Sequence, residues 1–113
     1  RFEEAHQQLE ILRASQPYHP LNDESWYLSY RCLYQLDRKQ EAAEALEQIV
    51  GMHGNDLLGD EALFHLGEIY ANDFGDKERA KHYFEQLILL FPGSTYTQTA
   101  RTKYRNLRGD QLN

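Results

Sequence analysis

One spacing recurs three times along this chain and limits what it can fold into. Ala5, Leu9 and Leu12 precede Pro17; Ala42, Leu46 and Ile49 precede Gly54; Ala80, Phe84 and Leu87 precede Pro92. In each segment the apolar residues fall at i, i+4 and i+7, one stripe of an α-helix, and a helix breaker follows five residues later. The segments repeat after 37 and then 38 residues. A second series lies between them at the same intervals: Ser25-Trp26, Ala62-Leu63 and Ala100-Arg101 each open a further helix. Asp23 and Asp60 stand where an N-cap or first-turn carboxylate belongs, and Gly75 separates two helical patterns.

The pattern predicts six helices, at about 2–15, 23–36, 39–52, 59–72, 76–91 and 95–108. Sustained period-2 alternation and Asn-Gly hairpin signals are missing, so strands are not expected. Only 7 glycines and 3 prolines interrupt the 113 residues, which also favours long regular elements. Paired helices of this length cannot bury their apolar sides alone and must stack on neighbours. The expected fold is therefore an all-α helical solenoid of about six antiparallel helices.

At this level the residues resemble the tetratricopeptide repeat family. Residues 60–94 carry its pattern in Leu63, Leu66-Gly67, Tyr70, Ala80, Phe84 and Pro92, with one extra residue near Gly75. Small Gly67 lets the two helices of the pair approach closely, and Pro92 ends the second. Residues 23–56 keep Trp26-Tyr27, Ala42, Leu46 and Ile49, but Ser29-Tyr30 stands in place of Leu-Gly and Gly54 in place of the proline. Residues 1–17 look like the second helix of a truncated repeat, and 95–108 like a closing helix. The resemblance implies a right-handed solenoid, one domain over 1–113, cut from the C-terminal part of a larger protein. The segments Pro20-Leu21-Asn22 and Leu57-Leu58-Gly59, with the run from Pro92 to Asp110, are similar to bacterial periplasmic or outer-membrane-associated repeat proteins, among them outer-membrane assembly lipoproteins and Tol-associated coordinators.

In such a solenoid the first helix of each pair lines a concave groove. Carried over to this chain, the groove positions are Glu24, Tyr27, Arg31, Tyr34 and Gln35, then Glu61, Phe64, Glu68 and Asn72. The expected partner-binding set is Tyr27, Arg31, Tyr34, Phe64, Glu68 and Asn72, an aromatic strip with an arginine and a carboxylate. Aromatic residues and arginine are the side chains that anchor protein interfaces. The plainer alternative is that Tyr27 and Phe64 cover their own helix pair. The family's clamp on a C-terminal carboxylate needs lysine and asparagine where this chain has Tyr27 with Arg31 and Phe64 with Glu68; Arg31 offers a bidentate donor, while Glu68 repels an anion.

Other chemistries find little support. A formal charge of −6 and a pI near 5.3 argue against nucleic acid, which demands clustered cations. The tail at 95–113 is the exception, at +3 against −9 for the rest, with Arg101, Arg105 and Arg108 at i, i+4 and i+7 and Lys103 to one side. It reads first as cations placed at a helix C-terminus on a polar closing face. The pairs Glu61/His65 and Glu78/His82 have a two-ligand spacing, but a third ligand and a motif are lacking, so no metal and no cofactor are expected. Lone Cys32, in mid-helix, allows no internal disulfide and reads as a small buried apolar residue. Phosphate loops and nucleophile elbows are missing too. The longest apolar run, Leu87–Phe91, falls far short of the roughly 20 residues of a membrane span. The chain thus reads as a non-catalytic module for a protein or peptide partner. The alternative is an architectural segment that self-associates through Phe2, Ala5, Leu9 and Leu12.

Overall fold

A computed structural model describes residues 1–15, 22–53 and 58–109, with the side chains of 22, 23, 52 and 53 set aside. The breakers Pro17 and Gly54 lie outside the described residues. Six α-helices run in order: α1 (Phe2–Ser15), α2 (Asn22–Gln35), α3 (Lys39–His53), α4 (Gly59–Glu68), α5 (Lys77–Leu90) and α6 (Thr97–Arg108). A π-turn, Ile69–Asp73, continues α4. Among the described residues there is no strand. The helices expected from the period are those observed, to within two residues at most ends.

The chain divides into two compact units, residues 1–54 and 55–113. In the first, α2 packs between α1 and α3. The stripe Ala42, Leu46 and Ile49 is fully buried, and Leu33 of α2 is 2 % exposed. Each such aliphatic contributes about 1.5–3 kcal/mol by leaving water. Cys32 is a buried free thiol. The stripe foreseen on α1 behaves differently. Ala5 is exposed, Leu12 is 42 % and Phe2 45 % exposed, and Leu9 is only half-buried. The buried residues of α1 are instead His6 and Arg13. Arg13 Nη1 donates to Ser25 Oγ and Ser29 Oγ, both at 3.0 Å, and its guanidinium lies 3.6 Å from the Trp26 ring centroid. Burial lowers the pKa of Arg13, and Glu10 partly offsets this. A charged hydrogen-bonding plane thus joins α1 to α2, and the apolar stripe of α1 takes little part in it. Arg38 reinforces the unit, donating to both carboxylate oxygens of Glu41 and to Glu3 of α1.

In the second unit, α5 packs against both α4 and α6. Ala80, Phe84 and Leu87 are fully buried, with Ala62, Leu63 and Leu66 of α4 and Ala100 of α6. Gly67 is required here: a Cβ on it would sit 2.5 Å from the Phe84 ring. Asp76 caps α5, its Oδ1 accepting from Arg79 N at 3.1 Å. Ahead of it the π-turn closes through Phe74 N to Ile69 O, and Gly75 turns the chain at φ 66°.

Candidate functional site

The residues expected to bind a partner fall into two groups, one in each unit. On α2, Glu24, Arg31 and Gln35 are exposed, while Tyr27 and Tyr34 are half-buried. Their spacing along the helix sets them on one side of it. The rings of Tyr27 and Tyr34 flank that of buried Tyr30, with centroids 5.5 Å and 6.0 Å away. Lys39 Nζ lies 3.7 Å from the Tyr34 ring centroid, a cation–π contact at the rim of this surface. Leu28, 47 % exposed, shares the surface. Sequence reasoning passed over it, although its place between Glu24 and Arg31 on the same side was legible.

The second group is shaped by α6. Phe64 is 8 % exposed, its ring 4.8 Å from Tyr96 and 5.9 Å from Phe84. It belongs to the interior of its unit, the plainer of the two readings. Glu68 and Asn72 remain accessible. With Ala71, Lys103, Asn106 and Leu107 they line a cleft of about 170 Å³ beside the buried Phe84. Lys103 Nζ stands 3.6 Å from Glu68 Oε2, and His65 Nδ1 3.9 Å from Glu68 Oε1. Glu68 is therefore a partner of Lys103 rather than a bare negative charge. Lys103 reads from the sequence only as part of the basic tail, and Asn106 and Leu107 not as site residues at all, because they lie more than thirty positions from Glu68 and Asn72, on a helix that packs alongside.

Electrostatics around this cleft follow from burial. Desolvation lowers the pKa of His65 below the ordinary imidazole value, against the pull of Glu68 and then Glu61. Burial raises the Tyr96 phenol, helped by the nearby Glu61 carboxylate that accepts its hydrogen bond. Asp60, in the first turn of α4, accepts from Ser94 Oγ at 2.6 Å and so fixes the approach to α6.

The remaining sequence candidates have local structural partners. Glu78 pairs with Lys81 at 3.1 Å, and His82 lies against the ring of Tyr83. Among the described residues no group of three potential ligands is placed to hold a metal. Arg105 and Arg108 occupy the last turn of α6 ahead of Gly109, whose φ of 93° ends the helix. No described helix is long and apolar enough to cross a membrane.

No curated protein matches the chain. The model of the tetratricopeptide repeat family matches residues 61–94, from the first turn of α4 through the π-turn and α5 to the turn that leads into α6. The match takes in Gly67 under Phe84, the close approach that the resemblance required. Residues 61–94 are a tetratricopeptide repeat, set in a chain whose described structure is all α-helical.

Proposed function

We propose that this chain is a non-catalytic interaction module that holds a peptide or helix of a partner protein against the open sides of its first helices. Tetratricopeptide repeats are units of protein association, and residues 61–94 match that family. The observation that carries the reading is the cleft of Glu68, Asn72, Lys103 and Asn106 with apolar Leu107. Each carboxamide offers two donors and an acceptor, which suits a peptide backbone, and Leu107 suits an apolar side chain. In the first unit, Tyr27, Leu28, Arg31 and Tyr34 supply the residue types of an interface anchor.

Peptides selected from a random display library against the whole chain provide the test. Binding should weaken about tenfold or more in Asn72→Ala or in the pair Tyr27→Ala/Arg31→Ala, with helicity unchanged. Phe64 is unsuitable as a probe because its removal damages the interior. Peptides that bind these variants as tightly as the parent would sink the groove reading.

A second reading rests on the stripe Phe2, Ala5, Leu9 and Leu12 of α1, where Phe2 and Leu12 are both more than 40 % exposed. Self-association through that side would give a mass that rises with concentration and returns to the monomer in Leu12→Glu. A mass that stays monomeric throughout removes this reading.

A further inference from the structure

How a first helix receives its second is seen in α4. Gly67 lies so close under Phe84 of α5 that an added Cβ would meet the ring at 2.5 Å, and the Tyr70 ring stands 5.5 Å from that of Tyr83. Leu63 and Leu66 share this side of the helix and are buried. Adding 38 to each number, the interval between these helices, gives Arg101, Tyr104, Arg105 and Arg108 on α6. α6 packs on α5 and buries Thr97 and Ala100, but the three arginines stay exposed and Tyr104 is only half-buried. The side that takes a second helix on α4 is thus open on α6, and it is cationic. Lys103 and Asn106, which line the cleft described above, project from a different side of α6, so the two surfaces are separate.

α6 carries four cations and no carboxylate in its 12 residues, within a chain of formal charge −6. The helix C-terminus accounts for Arg105 and Arg108 in the last turn, but Arg101 stands well ahead of it. Among the described residues neither Arg101 nor Arg105 is held in an ion pair. The guanidinium of Arg108 lies 5.2 Å from the Tyr104 ring centroid, which sets an aromatic beside the arginines. Arginine and tyrosine are the side chains that anchor protein interfaces. An apolar helix on this side would bury guanidiniums without partners, at high cost. That argues against a second copy seated through the apolar stripe Phe2, Ala5, Leu9 and Leu12. The chain's net negative charge opposes a nucleic acid. A carboxylate, which a guanidinium grips bidentately, is the group that fits.

We propose that the exposed side of α6 seats an acidic helix of a partner protein, with Arg101, Arg105 and Arg108 as the cations and Tyr104 as the aromatic contact. The carboxylates of that helix recur at i, i+4 and i+7, the spacing of the arginines themselves. The probe is a labelled alanine-based helical peptide with glutamates at that spacing. Two controls accompany it: the same peptide with glutamine for glutamate, and one with its glutamates dispersed around the helix. Fluorescence anisotropy with the whole chain at low salt should show saturable binding of the first alone, weakening as salt rises. The pair Arg101→Gln/Arg105→Gln, at exposed positions, should weaken binding about tenfold without loss of helicity. Arg101→Glu/Arg105→Glu should instead take up the peptide that carries lysine in place of glutamate. Absence of binding, equal binding of either control, or indifference to the glutamine pair overturns the proposal. So does preference for duplex DNA or phosphatidylserine vesicles over the peptide, which would make the surface a general polyanion site.

Discussion

The two units use one register and fill it with opposite materials. Ser25 and Ser29 of α2 stand 37 residues before Ala62 and Leu66 of α4. In the first unit these positions are hydroxyls that hold the buried guanidinium of Arg13; in the second they are fully buried apolar side chains. The bulk between paired helices is exchanged as well. Gly67 of α4 lies under Phe84 of α5, whereas the corresponding positions in the first unit carry Tyr30 and Leu46, both buried. Where residues 23–56 differ from residues 60–94, the differences come with partners. Serine stands in place of alanine and leucine where α1 brings an arginine, and a large residue stands in place of glycine where the opposing phenylalanine is a leucine. Matching positions of two helix pairs can therefore carry different residues, provided the exchange is made on both sides of a contact.

The largest effect expected from this comparison comes from stripping the polar plane. Ser25→Ala with Ser29→Ala leaves Arg13 buried beside Trp26 without its two acceptors. The loss should be about 2–4 kcal/mol in urea denaturation, since the abandoned group is charged. Adding Arg13→Leu should restore most of it by turning the plane into the apolar kind found in the second unit. A double serine variant as stable as the parent would break the comparison, because Arg13 would then not depend on those hydroxyls.

Next in size is the close approach in the second unit. Gly67→Ala places a methyl group where the ring of a fully buried Phe84 already lies, and should cost about 1–3 kcal/mol. Phe84→Leu, the residue found at the matching position 46, should recover part of that cost when combined with Gly67→Ala, although alone it leaves a void. A Gly67→Ala variant that melts with the parent would mean that the helices separate freely and that the packing of Phe84 on Gly67 is not fixed.

Much of this was legible in the sequence, and what was not has a common cause. The 37/38 period marked the helices because each stripe repeats within a turn or two of itself. Gly67 announced its role because only a residue without a side chain suits that position. By contrast, His6 and Arg13 look like solvent-facing residues when α1 is read alone; the partners of Arg13 lie 12 and 16 residues away on another helix. Phe64 reads as a groove residue until Tyr96, from the turn before α6, is seen to cover it. Glu68 looks like an unopposed negative charge until Lys103 arrives from α6. Local periodicity reports which side of a helix is apolar, whereas commitment of a polar or aromatic side chain is decided by the neighbour that packs on it.

The smallest effect concerns the turns, and it locates the one residue by which the 37- and 38-residue intervals differ. Tyr70 follows Leu33 by 37 positions, but Gly75 follows Asp37 by 38, so the additional residue enters between 70 and 75. That is where α4 widens into the π-turn Ile69–Asp73, which absorbs it without breaking the helix. After it the two segments turn alike, with φ of 62° at Asp37 and 66° at Gly75. Glycine meets that conformation freely, and aspartate at a cost. Asp37→Gly should therefore stabilise the chain by about 0.5 kcal/mol, the relief of strain being partly offset by the greater freedom of glycine in the unfolded state. The ion pair it removes, to Lys39 at 3.6 Å, involves an Asp37 side chain that is 89 % exposed and contributes little. Gly75→Ala should cost about 1 kcal/mol despite open space around the added methyl group. Opposite signs in the two melting curves would establish that the turns are equivalent and that the π-turn alone takes up the extra residue; a loss of stability in Asp37→Gly would place the difference between the units in the turns themselves.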